Sequence, residues 1–376
     1  MKIYSQVLLF ILLVIRIQSV SAETFNTRNI GVLVNDSYPD SVALGQYYMK
    51  ARGIPDRNLV RVKLDGHKSV INSNETRRLL DEIRRQAGAQ IKGWAIAWTK
   101  PYRAGCMSIT SAVAMGYDEK YCASGCKVTS PSPWFNKKAT PQDKQDFRPA
   151  MLLAGKSLQA QKALVDRGIA ADFTRPTGTA YLLSTSDHER NVRAVNYPTV
   201  ERIFANVLSV QVLRQDRLRK RNDVLFYFTG LKHVAGIKSL RFVPGAVADH
   251  LTSTGGVLFG GSQMSSLEWL DAGATGSYGT VVEPCNFPTK FSVPGVMMEH
   301  YMNGDTLLEA YWKSVIMPGQ GLFIGEPLAS PWNGCRIIRN KRGLISQLKN
   351  RRGLDNYVMY ESKNCMMPWQ MPLQGM

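Results

Sequence analysis

The sequence predicts an α/β protein with a three-layer, mostly parallel sheet and one long irregular insertion. Two observations carry that expectation. From Asn29 onward, short apolar runs alternate with segments of helical periodicity, and strands that alternate with helices build parallel sheets covered on both faces. Between about 99 and 148 the periodicity vanishes, and Pro, Gly, Ser, Lys and three cysteines dominate. A span of that length without rhythm is uncommon inside a compact domain, so it reads as a stapled insertion over the sheet edge or as a functional lid.

The elements follow in order. IGVLVN is a short apolar strand, and NDSYPDS supplies turn and capping residues before a helix from about Ser41 to Arg52, which Gly53 and Pro55 end. A second strand starts near Leu59. A charged helix from Ser73 to Gln86 sets Leu79, Leu80 and Ile83 on one face, and GWAIAW is a third strand. After the irregular span come a helix from Ser157 to Arg167, the strand TAYLLST, a helix after Pro198 and the strand VLFYF. The block from Val243 to Gly325 is dense in glycine turns. It reads as helices near Ala246 to Leu251 and Ser262 to Asp271, a strand over 256–260, a strand-like TVVEPC, and a helix announced by the capping box Thr306-x-x-Glu309. Glycine punctuation around such short apolar runs marks a site at strand ends. One domain over 23–334 is expected, followed by a basic, Met/Pro-rich tail over 335–376.

Lys2, the nine apolar residues Val7 to Ile15 and the small residues Ser21 and Ala22 form a charged region, an apolar region and a cleavage site. Residues 1–22 are read as a cleaved signal peptide, since nine apolar residues are too few to span a hydrocarbon core of about 30 Å. No membrane span is expected after cleavage, and the protein is expected in the periplasm or outside the cell. An even count of six cysteines, at 106, 122, 126, 285, 335 and 365, favours disulfides in that compartment, with at least one local staple among the first three. The spacing Cys122-x-x-x-Cys126 alone suggests a metal, but no His lies nearby and a second close pair is missing, so no metal site is expected.

The formal net charge is +18, much of it clustered in RQDRLRKR from Arg214 to Arg221 and in two runs between Arg336 and Gly353. Such patches attract polyanions, and outside the cytoplasm these are anionic polysaccharide, lipid head groups and cell-wall polymers rather than nucleic acid. Solvated helix faces with no partner are the plain alternative. A GxGxxG fingerprint and a Walker lysine loop are absent, and no cofactor is expected.

The stretches NDSYPDSVALGQYYMKARGIPDRNLVRV, PGAVADHLTS, MSSLEWLDAGATGSYGTVVEPCN and GDTLLEAYWKSVIMPGQGLFIGEPLASP resemble a family of exported bacterial proteins of unknown function. That family occurs in species carrying the exosortase protein-sorting system, which implies an envelope context without a chemistry. More distantly, the order of strands, GATGSYG and a G-x-TL-x-EA helix is similar to the gingipain-like cysteine peptidases of the caspase-type fold. This resemblance implies a caspase-like topology and a dyad, with a His after the strand at 224–228 and a Cys after the strand at 256–260. Leu231 stands at the first position and the Gly261-Ser262 pair at the second, with His233 two residues beyond Leu231.

Several residues are candidates for chemistry. His250, beside Asp249 as an orienting partner, is a base or a helix-surface histidine without a task. Ser262 is a nucleophile served by His233 or His250, or the N-cap of the following helix. Cys285 is a nucleophile if its thiolate is stabilised and exposed, or else half of a disulfide with Cys335 or Cys365. Asp36, Ser37 and Asp40 follow the first strand, where doubly wound folds bind ligands, although such residues also serve in turns. Glu268 and Asp271 share one helix face, which rarely presents two carboxylates across a sugar. The expected function is accordingly a non-catalytic caspase-like fold that binds an anionic envelope polymer or an export partner. The alternative is a peptidase-like hydrolase with a Ser or Cys nucleophile and a His base.

Overall fold

The computed structural model describes residues 25–123, 126–137 and 147–333, together with the backbone of an antiparallel pair, Ile337–Arg339 and Ile345–Gln347. The signal peptide read at 1–22, Cys335, Cys365 and the rest of the basic tail lie outside the described residues.

Ten strands form the main sheet: β1 (Ile30–Asn35), β2 (Leu59–Val62), β3 (Gly93–Ile96), β4 (Ala150–Leu152), β5 (Thr179–Ser184), β6 (Ser209–Arg214), β7 (Val224–Thr229), β8 (Phe242–His250), β9 (Gly276–Thr280) and β10 (Gly321–Gly325). In space they run β2-β1-β3-β4-β10-β9-β8-β7-β5-β6. All neighbours are parallel except β9 and β10, which are antiparallel from Gly276↔Gly325 to Thr280↔Gly321. The sheet therefore consists of two parallel five-strand halves of opposite direction, joined at β9/β10. The carboxyl ends of the two halves open on opposite edges, so the fold has two crevice positions rather than one.

The helices are α1 (Pro39–Arg52), α2 (Ser73–Gln86), α3 (Ile109–Met115), α4 (Leu158–Ala171), α5 (Tyr197–Phe204), α6 (Leu267–Asp271), α7 (Pro294–Met302) and α8 (Leu307–Ser314). They cover both faces, which makes the predicted three layers. On β1, a side chain at Gly45 of α1 would collide with Val34, while a Cβ on Gly31 would meet the Trp94 ring on the other face. On β7, Phe226 packs edge-to-face on Tyr301 of α7 and the adjacent Tyr227 packs edge-to-face on Trp269 of α6. Most strand residues of the central sheet are fully buried, which explains why these strands read as continuous apolar runs.

Local signals placed several boundaries. Asn72 and Glu75 form a reciprocal capping box on α2, and Thr306 and Glu309 form the expected one on α8. Gly53 closes α1 in the left-handed conformation. Helix α4 extends beyond the expected Arg167 to Ala171, and Ser157 caps it through Ala160 N. A buried ion cluster fastens three elements, with Arg52 of α1 paired to both Asp172 and Glu326, and the Tyr48 hydroxyl donating to Glu326 Oε1 at 2.8 Å.

Several readings of the sequence need correction, among them the strand-like TVVEPC, of which only Thr280 lies in a strand, and the helix expected from Ser262, which begins at Leu267. The run near Ala246 to Leu251 is not helical. It lies in β8, paired on both sides by β7 and β9, because Ala-Val-Ala fits a strand buried on both faces as readily as a helix. The stretch 256–260 is a turn rather than a strand. Gly256 donates to Thr280 O at 2.9 Å, and a Cβ there would lie 2.5 Å from Gly279 O, so these glycines let two backbones cross. The described residues of the irregular span form a stapled insertion that has structure of its own and reaches past the sheet edge. It holds the short strands Arg103–Ala104 and Met107–Ser108, and helix α3, whose residues 109–114 are all buried and which packs on β4 and β10 in the middle of the sheet. The disulfide Cys106–Cys122 staples it, as expected.

Candidate functional site

The carboxyl end of the second half gathers the residues singled out for catalysis. β7 ends at Thr229 beside His250 of β8, and the chain turns through Gly230, where a Cβ would strike the carbonyl of Arg190. Arg193, from the 3-10 turn Asn191–Asn196, enters this end and is 4% exposed. Its guanidinium donates to Thr229 O at 2.9 Å and Ser292 O at 3.1 Å, and Nη2 lies 2.7 Å from Asp249 Oδ1. The carboxylate is held by this close ion pair with the guanidinium. Burial pushes the Asp249 carboxyl up and the Arg193 charge pulls it back. For the pair we take the ionised form, since Arg193 is charged at any ordinary pH.

Asp249 does not orient His250, because successive strand side chains leave opposite faces. Asp249 meets Arg193, while His250 meets α6. Its Nδ1 accepts from Trp269 Nε1 at 2.9 Å and its Nε2 meets Met264 O at 3.0 Å. An indole nitrogen only donates and a carbonyl only accepts, so the ring is the neutral Nε2–H tautomer. Burial lowers its pKa to about 4. Both ring nitrogens are committed, and in this arrangement neither is free to take a proton from a nucleophile.

His233 and Ser262 are both exposed. Their segments meet at Met264, whose N–H donates to Lys232 O at 3.0 Å and whose sulfur accepts from Val234 N at 3.4 Å. The fold thus brings the His233 turn, the Ser262 loop and His250 to one residue. Helix α6 begins only at Leu267, so Ser262 does not cap it. β8, adjacent to β7, ends at His250 and runs on into Leu251-Thr252-Ser253, with no cysteine at its end. Cys285 lies on the loop after β9 and is bonded to Cys126, with Cα atoms 5.1 Å apart. It lines a cleft of 210 Å³ with Glu189, Arg190, Ser253 and Glu283. As a disulfide sulfur it has no thiolate to offer. The same pairing separates Cys122 from Cys126, and among the described residues no group of three His, Cys, Asp or Glu could hold a metal.

The carboxyl end of the first half is more open. Asn35, at the end of β1, is buried and fastens the next turn by donating to Leu64 O and accepting from Leu64 N, both at 3.0 Å. This separates the three ligand candidates. Asp36 pairs with Arg61 at 2.6 Å and lines a groove of 650 Å³ between β2 and α2. Ser37 is exposed and its N–H donates to Asn35 Oδ1. Asp40, in the first turn of α1, lines a crevice of 430 Å³ with Tyr38, His67, Lys100, Lys156 and Phe259. The floor of that crevice is fixed by Thr99, whose hydroxyl donates to Gly155 O at 2.9 Å and accepts from Gly155 N and Gln161 Nε2, both at 3.1 Å. Glu268 and Asp271 both pair with Lys156, at 2.5 and 2.7 Å. Lys100 lies 4.5 Å from the centre of the Phe259 ring.

Sequence reasoning passed over Lys100, Phe259, Arg193 and Trp269. Phe259 leaves the β8–α6 loop, far along the chain from Lys100, and no local pattern pairs them.

No family model matches the sequence, and no curated protein matches it. A solved structure described as "Structure of Protease" aligns with a TM-score of 0.39 and 9% identity, over 84% of this chain and 81% of that chain. A likeness of that size carries no argument about the reaction or its residues. Among the described residues no helix is long and apolar enough to cross a membrane.

Proposed function

We propose that this protein is exported and non-catalytic, and that it binds an anionic polymer of the cell envelope. A place among the exported proteins of exosortase-bearing bacteria belongs to the same proposal. The observation that carries it is His250. The strand-end histidine best placed to serve a nucleophile has one nitrogen tied to Trp269 and the other to Met264 O, inside the core. The oxidised Cys285 removes the thiolate as well. Two disulfides suit an oxidising compartment. The net charge of +18, with exposed Arg214, Arg217, Arg219, Lys220 and Arg221 on one connection, suits a polyanion.

Retention of the full chain on immobilised acidic polysaccharide tests the reading. Binding is expected to fall steeply between about 50 and 300 mM salt, as the Debye length shortens toward a few ångströms. Salt-independent or absent retention overturns it, and capture of a protein partner instead would point to the export-partner form.

One observation favours a peptidase-like hydrolase instead, namely the meeting of the His233 turn, the Ser262 loop and His250 at Met264. Turnover of a broad peptide library that disappears in Ser262→Ala would establish it. An inactive wild type would remove it.

A further inference from the structure

We infer that the crevice at the carboxyl end of the first half is a binding site for a single sugar ring that carries one anionic group. This deepens the polymer-binding reading and rests on it, by naming the subsite and the unit it takes.

The crevice lies where the chain order reverses. From β1 the chain passes to β2 on one side and then returns to β3 on the other, and the loops after β1, β3 and β4 diverge around the gap. Doubly wound sheets bind ligands at such points because diverging loops leave a space no side chain fills. At 430 Å³ the space falls in the range of about 300–1,000 Å³ usual for small-molecule sites. Its floor is preformed, since the Thr99 hydroxyl uses its donor and both acceptor positions on Gly155 and Gln161.

The lining selects the ligand. Phe259 is an exposed large apolar side chain, 36% accessible, held out on the loop that reaches across from the second half. An aromatic face left in water beside polar groups matches the C–H face of a pyranose. Lys156 is more than balanced by Glu268 and Asp271, so it is not the cation that a ligand meets. Among the described residues Lys100 has no carboxylate partner, and its ammonium group sits over the Phe259 ring at 4.5 Å, so cation and aromatic surface reach a ligand together. Asp40 and the Tyr38 hydroxyl, which share a 3.5 Å contact, supply an acceptor and a donor for ring hydroxyls. A neutral sugar leaves Lys100 unused, and a bare anion leaves Phe259 unused. The anionic group is a uronate carboxylate or a phosphate substituent, both of which present anionic oxygens to Lys100.

Calorimetry on the full chain with trigalacturonate, with phosphorylated maltotriose and with plain maltotriose separates these. At least one anionic trisaccharide should bind, and plain maltotriose about tenfold more weakly or not at all. Lys100→Ala and Phe259→Ala should each weaken binding about tenfold or more, and Lys100→Arg and Phe259→Tyr should restore most of it. The control Arg202→Ala, an exposed residue of α5 in the second half, should change it less than about twofold. Unchanged thermal unfolding shows that the variants are folded. The inference is overturned if neither anionic trisaccharide binds, or if Arg202→Ala loses as much as Lys100→Ala. Retention on the acidic polymer is read separately. Polymer retention without trisaccharide binding removes the crevice and leaves the polymer reading standing, whereas loss of polymer retention alone removes the broader reading.

Discussion

The two halves of the sheet obey the same construction and finish it differently. At the carboxyl end of the second half, polar side chains turn inward and are consumed: Arg193 by Asp249 and two carbonyls, His250 by Trp269 and Met264, Cys285 by Cys126. At the carboxyl end of the first half, the polar groups that matter for folding lie on the floor, at Thr99 and Gln161, or beneath the neighbouring loop, at Asn35, while Lys100 and Phe259 face an open space. Strand ends that look equally polar in sequence thus serve stability in one half and leave room for a ligand in the other. Burial decides which.

The contrast predicts a graded set of outcomes. The largest effect belongs to Asp249→Ala, which leaves the Arg193 guanidinium buried without its counter-charge and should cost about 3–5 kcal/mol in denaturant unfolding. Equal stability of that variant would show that water already reaches this end of the sheet. Next, Cys285→Ser should cost about 2–4 kcal/mol, since the bond to Cys126 closes a loop of sequence separation 159. A reducing agent should lower the wild type by a similar amount and leave the variant less affected.

His250 makes a pH signature of comparable size. Its folded pKa of about 4 lies below the unfolded value of 6.5, so between these values the unfolded chain binds more protons. The contribution is therefore present above about pH 6.5 and is lost as the pH falls toward about 4, to the extent of roughly 3 kcal/mol. His250→Gln should abolish that slope, and a variant that kept it would place the titration elsewhere. The smallest effect is expected in the first half, where Lys100→Ala should alter stability by less than about 0.5 kcal/mol. A loss of several kcal/mol there would show that the crevice is structural after all.

Legibility in the sequence followed the range of the interaction. Helix α2 was readable to its ends, because Asn72, Glu75 and the apolar face at Leu79 and Ile83 all lie within one helix. Strands β1, β5 and β7 announced themselves as apolar runs for the same reason. β8 did not, since Ala246 to His250 becomes a strand only by pairing with β7 and β9, and β9 itself is GSYGT, in which two glycines offset the strand preference of Tyr278 and Thr280. The candidate residues fared likewise. That Cys285 would be a disulfide partner was legible from compartment and parity. That the partner is Cys126, within the insertion, was not.

The sequence alone therefore determined the alternation of strand and helix, the caps, the basic character and the preference for disulfides. Each of these depends on neighbours a few residues away or on composition. Tertiary structure alone decided that the sheet has two opposed halves, that His250 is sealed by Trp269 while Asp249 faces Arg193 on the other side of the same strand, and that Lys100 meets Phe259 across a crevice. Those outcomes rest on contacts between segments distant in the chain, where register and burial, rather than residue type, fix what a side chain can do.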